Sequence, residues 1–234
     1  MESPRKRSRL IVALDVADRT AAIELAGAVD EYASHLKIGS RLFTTEGPDL
    51  VRALKSAGSG IFLDLKFHDI PNTVAEAAAA AAALGVDMFD VHASGGPDMI
   101  RAAVESSREA ADALGVPAPT VLAVTVLTSM PSTVDEVLAH AERAREAGCG
   151  GVVASAWEAR AIRETVGQDF LIVTPGIRPS WFGRQDQRRV ATPEVAIANG
   201  ADYIVVGRPI RDAERPEEAA RMIVDEMAPA EVEQ

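Results

Sequence analysis

At 234 residues, 47% hydrophobic and 25% charged, the chain has an ordinary globular composition and ample length for a core, which excludes intrinsic disorder and a disulfide-stapled mini-protein. A formal net charge of −11, from 35 Asp and Glu against 24 Lys and Arg, argues against a nucleic-acid partner. In chain order, residues 1–8 form a basic tail whose Arg5, Lys6 and Arg7, with the nearby Arg9, read as solubilising charges. The LIVAL run behind them is short and lacks the cleavage site of a secretory signal. Strands are then expected at 9–15 (RLIVALD), 34–39 (SHLKIG), 60–66 (GIFLDLK), 88–93 (MFDVHA), 120–126 (TVLAVTV), 150–155 (GGVVAS), 169–175 (DFLIVTP) and 201–207 (ADYIVVG). Helices are expected between them at about 18–31, 41–57, 71–84, 96–114, 132–147, 156–166, 192–199 and 216–227. The alanine-rich run at 75–86 is too short and too weakly apolar to span a bilayer. Cys149, the single cysteine, has neither a disulfide partner nor ligands at metal spacing, and fits a small core residue in a reducing compartment. Residues 228–234 form an acidic tail, and the expected location is the cytoplasm with no membrane partner.

Apolar runs alternating with Ala, Glu and Arg-rich helical segments are the βα pattern. Eight such units, at about 29 residues each and with no Pro/Gly/Ser linker, predict a single (β/α)8 TIM barrel filling residues 1–234 as one domain. A doubly wound sheet is the alternative, but the first βα turn, LDVADRT, lacks the glycine-rich fingerprint of a dinucleotide fold.

Barrel sites lie at the C-terminal ends of the strands. Those positions hold Asp15, Lys37, Asp64 with Lys66, Asp90 with His92, Thr125 to Ser129, Ser155, the segment from Pro175 to Arg178, and Gly207 with Arg208. A packed barrel interior prefers branched apolar side chains, so this polarity points to a site. The densest stretch is LDLKFHDIPNT, residues 63–73. Residues two apart share a strand face, so Asp64 and Lys66 point to the barrel mouth while Leu63, Leu65 and Phe67 point away. Asp69 lies beyond the strand and is free to reach a neighbouring chain. A bland reading is also open, in which the pair is a surface ion pair and Asn72 or Thr73 caps the helix that follows Pro71.

LDLKFHDIPNT resembles the signature of the orotidine 5′-phosphate decarboxylase family. VALDV, LKIG, VHASGG, VTVLTS, TPGIRP, DQRRVATP and VVGRPI match further blocks of that family in the right order over nearly the whole chain. The resemblance implies a TIM barrel that decarboxylates orotidine 5′-monophosphate to uridine 5′-monophosphate in de novo pyrimidine biosynthesis, with no cofactor and no metal. It carries a charged catalytic network onto Lys37, Asp64, Lys66 and Asp69, with Lys66 as proton donor to C6 of the pyrimidine. It also implies a homodimer with shared sites, Asp69 and Thr73 entering the partner's. Asp15 and Lys37 would meet the ribose, Thr128 the pyrimidine edge, and Ile70 belongs to the same substrate-binding set. Arg178, Gln187, Gly207 and Arg208 would hold the phosphate, and residues 179–191 would close over it.

The residues themselves suit that chemistry. Loss of carbon dioxide leaves an electron pair on a ring carbon, and a fixed ammonium both stabilises it and supplies the proton. Charges of alternating sign let several ionised groups share one pocket, where an isolated charge would cost several kcal/mol. Two other readings stand beside this one. The related magnesium-dependent phosphosugar decarboxylases and synthases share the D-x-K-x-x-D pattern but place a metal-binding glutamate where this chain has Lys37, whose ammonium repels a divalent cation. A non-catalytic phosphate-ligand binder on the same scaffold has no use for a lysine aimed at a reacting carbon. His92 in DVHASGG fits either a structural hydrogen bond or the site, and His68 an exposed or structural position.

Overall fold

The computed structural model describes residues 8–126, 133–182 and 190–228. Apart from Ser8 and Ala228, the two expected tails lie outside the described residues. Eight strands, β1 (Leu10–Ala13), β2 (His35–Gly39), β3 (Gly60–Phe67), β4 (Met88–His92), β5 (Thr120–Val124), β6 (Gly151–Val153), β7 (Leu171–Thr174) and β8 (Tyr203–Val206), pair in parallel in chain order. β8 returns to β1, with Ile11 opposite Val205, and closes the expected barrel.

The helices around it are α1 (Arg19–Val29), α2 (Ser40–Glu46), α3 (Pro48–Ser56), α4 (Pro71–Ala83), α5 (Gly96–Leu114), α6 (Val134–Glu146), α7 (Ala159–Val166), α8 (Pro193–Ala198), α9 (Arg208–Arg211) and α10 (Pro216–Glu226). The helix expected over 41–57 is two helices. Gly47 takes φ 65° and ψ −164°, which an L side chain strongly disfavours, and Pro48 then starts a new helix where its missing N–H is not needed. α9 was not expected, because four residues are too few to show a helical period. Several starts follow from capping chemistry: Asp18 accepts from the Ala21 amide at 3.0 Å, Thr133 from Glu136 at 3.2 Å and Thr192 from Val195 at 3.3 Å. α4 differs from the cap expected at Asn72 or Thr73. It starts at Pro71 behind Ile70 with no side-chain cap, and Asn72 instead donates to Glu76 at 3.2 Å.

Alternation along the strands produces two cores. Ile11, Ala13, Phe62, Met88, Leu122, Val124, Val153, Val173 and Val205 fill the barrel, while Leu10, Val12, Ile61, Leu63, Phe89 and Val91 pack outward against the helices. Each large side chain so buried stabilises the fold by roughly 1.5–3 kcal/mol. At the barrel's other end, Arg163 donates to the carbonyls of Gly167, Phe170 and Gly200 and pairs with Asp202 at 2.5 Å, so this charge cluster ties loops together. Cys149 is buried as expected, and burial pushes its thiol up to about 12. Among the described residues, no helix is long and apolar enough to cross a membrane.

Candidate active site

Above the apolar plug, a cavity is lined by Lys37, Asp64, Lys66 and Asp90 over a floor that includes Phe62, Val124 and Val153. Its shape depends on an irregularity in β3. β3 and β4 pair regularly up to Leu63 opposite Phe89 and resume at Phe67 opposite Val91, so β3 advances four residues while β4 advances two. Asp64, Leu65 and Lys66 occupy the resulting bulge across from Asp90. Lys66 adopts φ 52°, and among the described residues no other non-glycine has a positive φ. Such a conformation costs of order 1–3 kcal/mol and persists only where its surroundings hold it. Here the Lys66 amide donates to Asp90 Oδ1 at 2.8 Å in place of a strand carbonyl.

The bulge adds an even number of residues, so the facing expected from simple alternation survives. Asp64 and Lys66 turn into the cavity, and Leu63, Leu65 and Phe67 join the outer core. The charges form a continuous chain. Lys37 Nζ lies 3.4 Å from Asp15 Oδ1 and 2.9 Å from Asp64 Oδ2, Lys66 Nζ bonds Asp64 Oδ1, and Lys66 Nζ lies 3.8 Å from Asp90 Oδ2. Burial alone would raise the Asp64 carboxyl, but the two flanking ammonium groups hold it down at about 2. Burial alone would lower the Lys37 ammonium, but Asp64 and Asp15 raise it. Asp90 moves the other way, pushed well above the usual carboxylate range by burial and then by the charge of Asp64. At Gly39 a Cβ would stand 3.3 Å from Lys37 Nζ and 3.6 Å from Asp15 Oδ1, so glycine leaves the ammonium its room.

Beside the cavity, a polar recess is lined by Asp15, Lys37, Ser40, Asp64 and Arg211, and Arg211 donates to the Asp15 carbonyl at 3.1 Å. Arg178, 6% exposed, follows β7; its amide donates to Ala191 at 2.9 Å and its guanidinium sits 5.7 Å over the Phe182 ring. Gly207 and Arg208 follow the adjacent β8, and Gly207 lies beside Asp15, whose Oδ2 would be 3.5 Å from a Cβ built there. Thr128 and Gln187 lie outside the described residues, as does the 183–189 part of the loop expected to close.

The residues expected at the site from β1 to the start of α4 therefore divide. Asp15, Lys37, Asp64 and Lys66 come together, whereas Asp69, Ile70 and Thr73 are exposed and line neither cavity nor recess. Ile70 is 66% exposed, and Asp69 accepts from the Ile70 amide at 2.6 Å. His92 packs its half-buried ring against exposed His68, centroids 5.3 Å apart, and burial followed by His68 lowers its pKa. Sequence reasoning assigned no role to Asp90 or Arg211. Asp90 had a signal: it shares strand parity with Met88, so a carboxyl was due inside the barrel. Arg211 had none, because α9 alone brings it to Asp15.

The model of the orotidine 5′-phosphate decarboxylase / HUMPS family matches residues 8–223 of this sequence. The chain belongs to this family. It is an enzyme of the carboxy-lyase class. Among its relatives in the orotidine 5′-phosphate decarboxylase family, the orotidine 5′-phosphate decarboxylase of Moorella thermoacetica is 50% identical over 233 residues, spanning 94% of this chain and 92% of the relative. That of Heliobacterium modesticaldum is 48% identical, spanning 95% and 96%. The crystal structure of orotidine 5′-phosphate decarboxylase from Lactobacillus acidophilus superposes with a TM-score of 0.84 at 37% identity, covering 95% of this chain and all of that one, 100%.

Proposed function

We propose that this carboxy-lyase converts orotidine 5′-monophosphate to uridine 5′-monophosphate in de novo pyrimidine synthesis, without a cofactor and with Lys66 as the proton donor. The observation that carries the reading is the Lys37–Asp64–Lys66 array at the barrel mouth. When the bond between C6 and the carboxylate carbon breaks, its electron pair stays on C6 and carbon dioxide leaves. An N–H bond of the Lys66 ammonium then breaks as the new C6–H bond forms, and the neutral amine regains a proton from water. Asp64 serves that step by keeping the Lys66 ammonium aimed, and the bond from the Lys66 amide to Asp90 fixes the backbone beneath it.

Asp15 and Lys37 are assigned to the ribose hydroxyls, and Thr128 to the pyrimidine edge. Arg178, Gln187, Gly207 and Arg208 are assigned to the phosphate, after β7 and β8, where barrels commonly hold one. Remote phosphate binding then offsets the cost of desolvating the reacting ring. Asp69 and Thr73 are assigned to the site of a second copy in a homodimer, which agrees with their exposure and with their not lining their own cavity, and Ile70 is assigned to substrate binding. The whole chain is read as one barrel domain with short charged tails, working in the cytoplasm. Lys37 disfavours the magnesium-dependent alternative, because its ammonium, bonded to Asp64, occupies the strand end at which a metal would be bound.

The test is the fall in orotidylate absorbance when purified protein is added with a chelator present. Turnover that chelator leaves unchanged is the expected result. No turnover, or turnover that metal restores, overturns the reading.

A further inference from the structure

Asp90 sits on β4 between Phe89 and Val91, which face the helices, so its side chain points into the barrel, where the residue is 1% exposed. On β5 the inward-facing residues beside it are apolar, Leu122 in register with it and Val124 beyond. The charged and titratable groups facing it are Asp64 and Lys66 from β3, with Lys37 of β2 behind Asp64. His92 lies two residues on along β4, with His68 against it.

Oδ1 of Asp90 is occupied by the Lys66 amide. Oδ2 is different. Taken as an ionised acceptor it is buried without a hydrogen-bond partner, its closest ammonium being Lys66 Nζ at 3.8 Å, and the carboxylate facing Asp90 is Asp64, bonded to that same ammonium. Two carboxylates are acceptors only and repel, so the contact needs a proton between them. Charge balance gives a second reason. Lys37 and Lys66 bring two positive charges and Asp15 and Asp64 two negative, so the linked chain is already balanced; an ionised Asp90 would leave it one negative charge in excess where a carbanion forms, and a neutral one keeps the balance.

We propose that Asp90 is a positioning residue for Lys66: a neutral carboxylic acid whose Oδ2–H donates to Asp64 while Oδ1 holds the Lys66 amide in its left-handed bend. The inference rests on the reading of Lys66 as the proton donor. Burial and the charge of Asp64 act in the same direction, both opposing ionisation of Asp90. An asparagine reproduces both contacts, its carbonyl accepting the Lys66 amide and its NH2 donating to Asp64, whereas alanine removes both.

The experiment compares the parent with Asp90→Asn and Asp90→Ala for kcat and KM on orotidine 5′-monophosphate, and records the infrared difference spectrum of parent minus Asp90→Asn at neutral pH. The expected result is rescue: Asp90→Asn keeps kcat within about fivefold of the parent, Asp90→Ala loses about 100-fold in kcat with little change in KM, as displacement of one catalytic group does. The difference spectrum shows the carbonyl stretch of a protonated carboxylic acid. Asp90→Asn as impaired as Asp90→Ala, or a spectrum showing only a carboxylate lost, overturns the proposal. Should Asp90→Ala fail to fold, Asp90→Asn and the infrared band still decide. A parent that leaves the substrate untouched defeats the reading of Lys66, whereas a parent that turns over without the acid band defeats the role of Asp90 alone.

Discussion

Lys37 Nζ lies 2.9 Å from Asp64 Oδ2, joining the ends of β2 and β3 through side chains that are each 12% exposed. Breaking a buried pair by removing one partner leaves an uncompensated charge and costs about 3–5 kcal/mol. The same pair, with Lys66, keeps Asp64 ionised far into acid, and that has a measurable sign.

The Asp64 carboxyl is depressed from 3.8 to about 2 in the folded chain, so its contribution to stability is complete above the ordinary carboxylate range and is lost as pH falls toward about 2. Thermal unfolding of the parent and of Asp64→Asn should therefore diverge most near neutral pH and converge as the solution is acidified through that window. A constant gap between the two at every pH contradicts the assignment.

Assignment of Asp69 to a neighbouring site makes Lys66→Ala and Asp69→Ala complementary. Each variant alone should be inactive, whereas a hybrid dimer would hold one site with both residues intact. Random reassortment of an equal mixture should restore about one quarter of the parent's sites, since half the dimers are hybrid and each carries one good site of two. Subunit exchange shown by mass spectrometry without recovery of activity contradicts a shared site.

Much of this was legible in the sequence, for reasons that can be located. Strands buried on both faces are continuous apolar runs, so all eight showed, and alternation assigned Asp64 and Lys66 to the mouth. The bulge in β3 was not legible, because it is a mismatch with β4 and no local pattern in LDLKFHD encodes it. Without the bulge, neither the positive φ of Lys66 nor its bond to Asp90 could be anticipated. The break at Gly47–Pro48 was visible as a dipeptide, but the helical period on both sides concealed it.

Gly39→Ala should separate geometry from folding. The added Cβ stands 3.3 Å from Lys37 Nζ, a far end that moves by a few tenths of an ångström, so the melting temperature should change little. Activity should fall about tenfold as Lys37 shifts against Asp64 and Asp15. An unchanged kcat/KM shows that the position of Lys37 is not critical.

The Cys149 thiol, buried and pushed up to about 12, is neither accessible nor ionised in the folded chain. Alkylation by iodoacetamide should proceed only on unfolding, at a rate that follows denaturant concentration, with activity retained in its native-state presence. Rapid native-state labelling contradicts the burial of Cys149 between the end of α6 and the start of β6.

The most direct test of the central claim is conversion of orotidine 5′-monophosphate by Lys66→Ala, followed over many hours, alongside its affinity for uridine 5′-monophosphate. If Lys66 is both the proton source and the charge facing C6, its removal should lower kcat by at least about 10,000-fold while the product still binds. Turnover within about tenfold of the parent contradicts Lys66 as the proton donor.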